Sequence, residues 1–302
     1  MPATRRVTEQ SSEKILKLGL PKGSLQNATI ELFRRAGYAF NVGERNYRAT
    51  CDDPQIESLL IRSQEMARYV EEGVFDCGLC GLDWVKENRA KVHTICDLVY
   101  SKVSRRPVKW VLAVHNDSPF TKVEDLQGRR IATEAVNLTK DFLKKHKVKA
   151  DVEFSWGTTE IKAPDLVDAI VDVTETGSSL RANNLRVLAT IMESWTVFVA
   201  NKDSWKDQWK RQKMEGIALL LGAAIAAEGR VGLKLNAPKS RLAHILSILP
   251  AITSPTVSPL NDSDWVAIES ILPEQTVRDL IPELKRSGAA GIIEYPLNKI
   301  VD

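Results

Sequence analysis

Val167-Asp168-Ala169-Ile170-Val171-Asp172-Val173-Thr174-Glu175-Thr176-Gly177-Ser178-Ser179-Leu180 reads as an apolar strand running into a loop with two carboxylates, then Thr-Gly-Ser-Ser, then a helix start. Successive backbone N–H groups in such a loop form an anion nest, and a following helix adds its positive dipole end. The hydroxyls of Thr176, Ser178 and Ser179 can donate to the same anion. Asp172 and Glu175 would repel a phosphate, so they need another partner. Ribose hydroxyls are the natural one, because a carboxylate accepts two of them well. Together these residues describe a phosphoribosyl site. The alternative is an ordinary capped strand-to-helix turn.

The same rhythm extends outward. Leu16, Leu18 and Leu20 alternate as a strand, and the turn Pro21-Lys22-Gly23-Ser24 follows. Leu25, Ala28, Leu32 and Ala36 then share one helical face, with Ser24 as the expected N-cap and Gly37 as the stop. Residues 55–61 read as a strand, 64–72 as a helix and 74–80 as a strand that turns at Gly81-Leu82-Asp83. A second series starts after Ser104-Arg105-Arg106-Pro107. It has strands at 108–115, 131–133, 152–156 and 168–173, a helix at 137–146, and one or two strands across 185–199. Strands alternating with helices predict a mainly parallel α/β sheet. We expect a catalytic region over residues 1–228 with two lobes like those of periplasmic binding proteins. Lobe one spans about 14–104 and 196–228 and lobe two about 105–195, with a ligand cleft between them. Residues 204–227 read as one long helix. The pattern from 229 to 302 is β-α-β-β-α-β, a separate ferredoxin-like domain.

Composition removes several classes. The 302 residues carry 42 Lys plus Arg against 39 Asp plus Glu, a net charge of +3. Residues 229–302 alone hold 8 of each sign, so no segment has the basic excess of a nucleic-acid binder. No apolar run approaches the roughly 18 residues of a membrane span, and residues 1–13 lack a secretory apolar core. Four cysteines (Cys51, Cys77, Cys80 and Cys96) do not make a disulfide framework, which suits a cytoplasmic protein. Cys77-Gly-Leu-Cys80 has half the spacing of a zinc site but no second pair, so it reads as a buried strand.

The Val167–Leu180 stretch resembles the phosphoribosyl-pyrophosphate signature of the ATP phosphoribosyltransferase family, the first enzymes of histidine biosynthesis. Three more segments are similar to family motifs, in the family's order. They are Leu18-Gly19-Leu20-Pro21-Lys22-Gly23-Ser24-Leu25, then Arg62–Gly73 continuing into Asp76-Cys77-Gly78-Leu79-Cys80-Gly81-Leu82-Asp83, and Gly157-Thr158-Thr159-Glu160. The C-terminal domain and Pro250–Leu260 resemble the long, hexameric form, which carries a histidine-binding regulatory module. Met66-Ala67 stands where Ile-Pro is usual, and Asn236 where some members have Asp.

The resemblance implies transfer of phosphoribosyl from phosphoribosyl pyrophosphate to N1 of ATP, with Mg²⁺ on the pyrophosphate and feedback inhibition by histidine. It implies a site for phosphoribosyl pyrophosphate made by Asp172, Val173, Thr174, Glu175, Thr176, Gly177, Ser178, Ser179, Leu180 and Glu160. Lys22, Gly23, Arg48, Asp76, Gly78 and Asp83 are the candidates for ATP. Asn236, Ile252, Ser254, Thr256, Ala289 and Ala290 are the candidates for effector histidine, and the metal ligands are left open. Three rivals stand beside this reading. A two-lobed solute-binding or sensor module would use the same cleft for capture alone. A base-salvage phosphoribosyltransferase usually has two adjacent acids, whereas Val173 and Thr174 separate Asp172 from Glu175 here. A regulatory homologue would have lost its phosphate loop, which this chain keeps.

Overall fold

Leu16, Leu18 and Leu20 are fully buried in β1 (Leu16–Lys22), the middle strand of a seven-stranded sheet. This is a computed structural model that describes residues 14–43, 47–100, 107–250, 254–262 and 264–301. The chain divides into two units, Met1–Ala218 and Leu219–Asp302.

In the first unit β1 runs parallel to β4 (Ile56–Arg62) and β5 (Cys77–Gly81). Antiparallel strands complete the sheet: β2 (Phe40–Asn41) and β3 (Arg48–Cys51) on one side, β12 (Thr196–Ala200) and β6 (His93–Leu98) on the other. The sheet is therefore mixed rather than mainly parallel. The parallel core carries α1 (Gln26–Ala36), α2 (Ser63–Glu71) and α3 (Leu82–Glu87). Gly37 ends α1 in the left-handed region (φ 103°), but Leu25, not Ser24, holds its N-cap position and no side chain caps it. Helix α2 packs hard on the sheet because Gly19 and Gly78 have no side chain. A Cβ there would stand 2.3 and 2.6 Å from Met66 Sδ. Cys77 and Cys80 are buried in β5 as free thiols.

A second sheet forms the other lobe in the order β11-β7-β10-β8-β9. Its strands are β7 (Val108–His115), β8 (Arg130–Thr133), β9 (Asp151–Phe154), β10 (Ala169–Thr174) and β11 (Leu185–Ser194). Strand β8 is parallel to β9 and β10, and β7 is antiparallel to β10 and β11. Helices α4 (Val136–Lys145) and α5 (Ser178–Ala182) belong to this lobe, whose core centres on Trp110, Leu112, Ile131 and Val171. The apolar run over 185–199 is two strands in two sheets, separated at Trp195.

The long helix expected over 204–227 is broken. Asp207 lies between α6 (Lys202–Lys206) and α7 (Gln208–Ala226) with extended backbone, and its carboxylate accepts the Lys210 N–H at 2.9 Å. An aspartate that caps a helix start terminates the helix before it.

The second unit contains β13 (Arg230–Pro238), α8 (Leu242–Ile248), β14 (Thr256–Pro259), β15 (Trp265–Pro273), α9 (Glu274–Arg286) and β16 (Ala290–Pro296). Its antiparallel order β14-β15-β13-β16 is the ferredoxin-like arrangement. Leu233, Leu235, Ile268 and Leu272 face the helices. On the opposite face the Tyr295 hydroxyl donates to Glu269. Gly232 permits this, since a Cβ there would stand 2.2 Å from the tyrosine ring.

Candidate active site

Within the first unit, a cleft of about 530 Å³ opens where the parallel strands of both sheets end. Ligands bind open α/β sheets at this carboxyl edge. One wall comes from the turns after β1, β4 and β5: Lys22 and Gly23, Arg62, and Gly81, Asp83 and Trp84. The other comes from the ends of β8 and β10: Glu134, Val173, Thr174 and Glu175. Tyr100, Trp110 and Trp195 line the floor. Both cations of the lining, Lys22 and Arg62, thus stand on the first wall, with Asp83, and face Glu134 and Glu175 on the second. Lys22 Nζ lies 5.1 Å from the centre of the Tyr47 ring.

The loop after β10 is built on Gly177, which lies in the left-handed region at φ 74°. Its N–H donates to Thr174 Oγ1 at 2.9 Å, the Thr176 hydroxyl donates to Ser178 Oγ at 3.0 Å, and Arg181 Nη1 donates to the Thr176 carbonyl at 3.0 Å. Loop and helix are thereby tied. The Ser179 and Leu180 amides lie in the first turn of α5, where no intrahelical acceptor exists. The helix has only five residues, so these amides matter more than its dipole.

Asp172 is half-buried and accepts the Val173 N–H at 2.7 Å. Burial pushes its pKa up to about 6. The Val173 N–H works against that, and the charges of Glu160 and Glu134 add to it. Among the described residues, no group of three His, Cys, Asp or Glu side chains is arranged to hold a metal ion.

The sequence profile of the HisG family, described as ATP phosphoribosyltransferase, matches residues 62–222, and that of the HisG C-terminal domain matches 227–299. The ATP phosphoribosyltransferase of Chlorobium luteolum is 59% identical over 292 residues, covering 97% of this chain and 99% of its own. The chain belongs to the ATP phosphoribosyltransferase family. A family member from Desulforudis audaxviator is 59% identical over 286 residues, covering 95% of this chain and 99% of its own. The solved ATP phosphoribosyltransferase (HisG:HisZ) complex from Thermotoga maritima matches with a TM-score of 0.58 and 25% identity, over 69% of this chain and 99% of that one. Membership makes the chain an enzyme, a pentosyltransferase.

In this member of the ATP phosphoribosyltransferase family, the fold brings Lys22, Gly23, Asp83, Val173, Thr174 and Glu175 to one cleft. Thr176, Ser178 and Ser179 are exposed beside it, whereas the Leu180 side chain is core and offers only its amide. Glu160 is half-buried after Thr158, a left-handed residue, and within electrostatic reach of Asp172. Three expected ATP contacts lie elsewhere. Asp76 precedes β5, at the strand end opposite Gly81, and is buried. Its carboxylate is taken by Lys210 Nζ and Ser204 Oγ, both at 2.6 Å, and by the Lys17 N–H at 2.9 Å. Gly78 lies mid-strand under Met66, where it serves helix packing. Arg48 is exposed in β3, facing Leu59 across the register and off the cleft lining.

Sequence reading missed Arg62, Glu134, Trp84, Trp110 and Trp195 as cleft residues. Glu134 had a signal, since it follows the strand Ile131-Ala132-Thr133 as Glu175 follows its own strand. Trp195 had none. Its indole N–H is buried without a hydrogen-bond partner.

In the second unit, Asn236 pairs in register with Ala290 and lies against Gly291, whose φ is 58°. Ala289 faces the core, Ser254 and Thr256 are exposed, and Thr256 pairs with Glu269 rather than with the Asn236 row. Ile252 lies outside the described residues.

Proposed function

We propose that the enzyme transfers phosphoribosyl from phosphoribosyl pyrophosphate to N1 of ATP, giving phosphoribosyl-ATP and pyrophosphate, the committed step of histidine biosynthesis. The observation that carries this reading is a cleft with the cationic turn at Lys22 on one wall and, on the other, the strand end Val173–Glu175 that leads into the left-handed Gly177 loop. The loop amides and the hydroxyls of Thr176, Ser178 and Ser179 hold the 5′-phosphate. Asp172, Glu175 and Glu160 accept the ribose hydroxyls. Lys22 and Arg62 meet the triphosphate of ATP, and the adenine ring rests on the apolar floor near Trp84 and Trp195.

The N1–C1′ bond forms as the C1′–O bond breaks, and that electron pair leaves with pyrophosphate. Adenine N1 already has a lone pair, so the site needs no strong base. It orients two anionic substrates and stabilises an oxocarbenium-like sugar between carboxylates. Asp172 and Glu175 would be the carboxylates to hold Mg²⁺ on the pyrophosphate, where it would supply charge neutralisation. We assign effector histidine to the second unit around Asn236 and Ala290, and we expect a cytoplasmic homohexamer. In the described residues no helix is long and apolar enough to cross a membrane.

Pyrophosphate release from phosphoribosyl pyrophosphate tests the reading. ATP should support it, while orotate and hypoxanthine should not. Release with a base instead of ATP, or with neither, would overturn it.

A further inference from the structure

Helix α4 opens without a cap of its own. Ala135 holds the N-cap position, no side chain of the segment bonds the first-turn amides, and no acidic residue lies in that turn. The missing acceptor comes from the other lobe. Glu87, the last residue of α3, accepts the Asn137 N–H at 3.0 Å through one carboxylate oxygen and the Leu138 N–H at 2.8 Å through the other. Asn137 Nδ2 returns a bond to the Glu87 carbonyl at 2.9 Å.

The rest of α3 grips the same lobe. Asp83 accepts the Trp110 indole N–H at 2.6 Å, and the Trp84 and Trp110 rings meet edge to face at 5.7 Å. Arg89, just past the helix, lies 3.2 Å from Asp141 of α4, but this pair is exposed and holds little. The Glu87 contact is different in kind. Separating the lobes would strip two helix-terminal amides of a charged acceptor in a partly buried place, the costly direction for a hydrogen bond.

Glu134 lines the cleft immediately before α4, so whatever holds the start of α4 also holds that wall. We infer that Glu87 is a positioning residue, which caps α4 from the opposite lobe and thereby sets the distance across the cleft between the Lys22 turn and the Gly177 loop. The inference rests on the proposed reaction, in which each substrate is held mainly by a different wall. A looser lobe pair should then bind phosphoribosyl pyrophosphate nearly as well through its own loop. It should less often bring C1′ to adenine N1.

The test compares full-length wild type, Glu87→Ala, the isosteric Glu87→Gln, and Asn137→Ala, which removes only the return bond. Glu87→Ala should lower kcat about tenfold, the ordinary worth of a helix cap expressed as an equilibrium factor. Affinity for phosphoribosyl pyrophosphate with Mg²⁺, measured by calorimetry, should stay within about twofold of wild type, well below that factor. Hydrogen exchange at the Asn137 and Leu138 amides should speed up in parallel with the kcat loss. Glu87→Gln, with one acceptor left, should fall between, and Asn137→Ala should show the smallest change. A lowered melting temperature with unchanged kcat would mean a merely structural cap and would overturn the inference, as would unchanged amide exchange. Wild type that makes no product from ATP counts against the proposed reaction alone, and the exchange data still decide whether Glu87 holds the lobes.

Discussion

The carboxylate of Asp83 in the first lobe accepts the indole N–H of Trp110 in the second at 2.6 Å, and both residues are buried. The same carboxylate accepts the Trp84 N–H at 2.9 Å. Asp83→Ala should cost about 2 kcal/mol in urea unfolding, because it leaves the Trp110 donor buried and unsatisfied. Burial is the largest influence on this carboxyl and raises its pKa against the lowering effect of the Trp110, Trp84 and Ser194 bonds. A pKa raised in the folded state adds stability that is present below the ordinary carboxylate range and lost as pH rises through the folded value. Wild type should therefore gain on Asp83→Asn as pH falls from about 7 to about 4. A constant gap between the two unfolding curves would contradict this.

Asp172, raised to about 6, should leave a kinetic trace. It must be ionised to accept two ribose hydroxyls, so kcat/KM for phosphoribosyl pyrophosphate should decline on the acid side with a midpoint near that value. Asp172→Asn should flatten this limb and lower kcat/KM at neutral pH by about 10- to 100-fold, the range for losing a hydrogen bond to a charged group. The pH profile of the variant decides: an acid limb that survives unchanged belongs to another group.

At Gly177, φ is 74° and a Cβ would approach Arg181 Nη1 to 2.8 Å. The arginine end can swing away, but the backbone strain of a β-branched residue there, about 1–2 kcal/mol, cannot be relieved without moving the loop amides. Gly177→Val should keep its circular dichroism and lose turnover. A folded variant with near-normal rate would remove this loop from the site.

Asp76 separates structure from function. Asp76→Ala leaves Lys210, only 30% exposed, without its counterion, and should cost about 3 kcal/mol. At temperatures where the variant remains folded, its KM for ATP should match wild type. A large rise in KM at preserved stability would return Asp76 to the nucleotide pocket.

These predictions differ in how far they could be read from residue order alone. Gly177 and its neighbours were legible because an anion nest is a local object, made by consecutive amides and one residue with φ above zero. Asp83 was legible as a cleft residue but not as a strut, because Trp110 is distant in sequence. Asp76 was expected to contact ATP, whereas in the fold its carboxylate is engaged by Lys210 and Ser204. An acid beside an apolar strand looks the same whether it faces the strand's ligand edge or its far end, and only the tertiary structure places Asp76 at the far end beside Lys210.

By itself, the sequence determined the alternation of strands and helices, the glycines at the end of α1 (Gly37) and the start of α5 (Gly177), and the ordered motifs that carry family membership. These depend on periodicity and backbone preference within a few residues. Tertiary structure alone decided which carboxylates are partnered and by what: Glu87 with the start of α4, Asp83 with Trp110, Asp76 with Lys210. A hydrogen bond acts over about 3 Å. Which groups come that close is fixed by how the two sheets meet, and no local pattern in the chain records it.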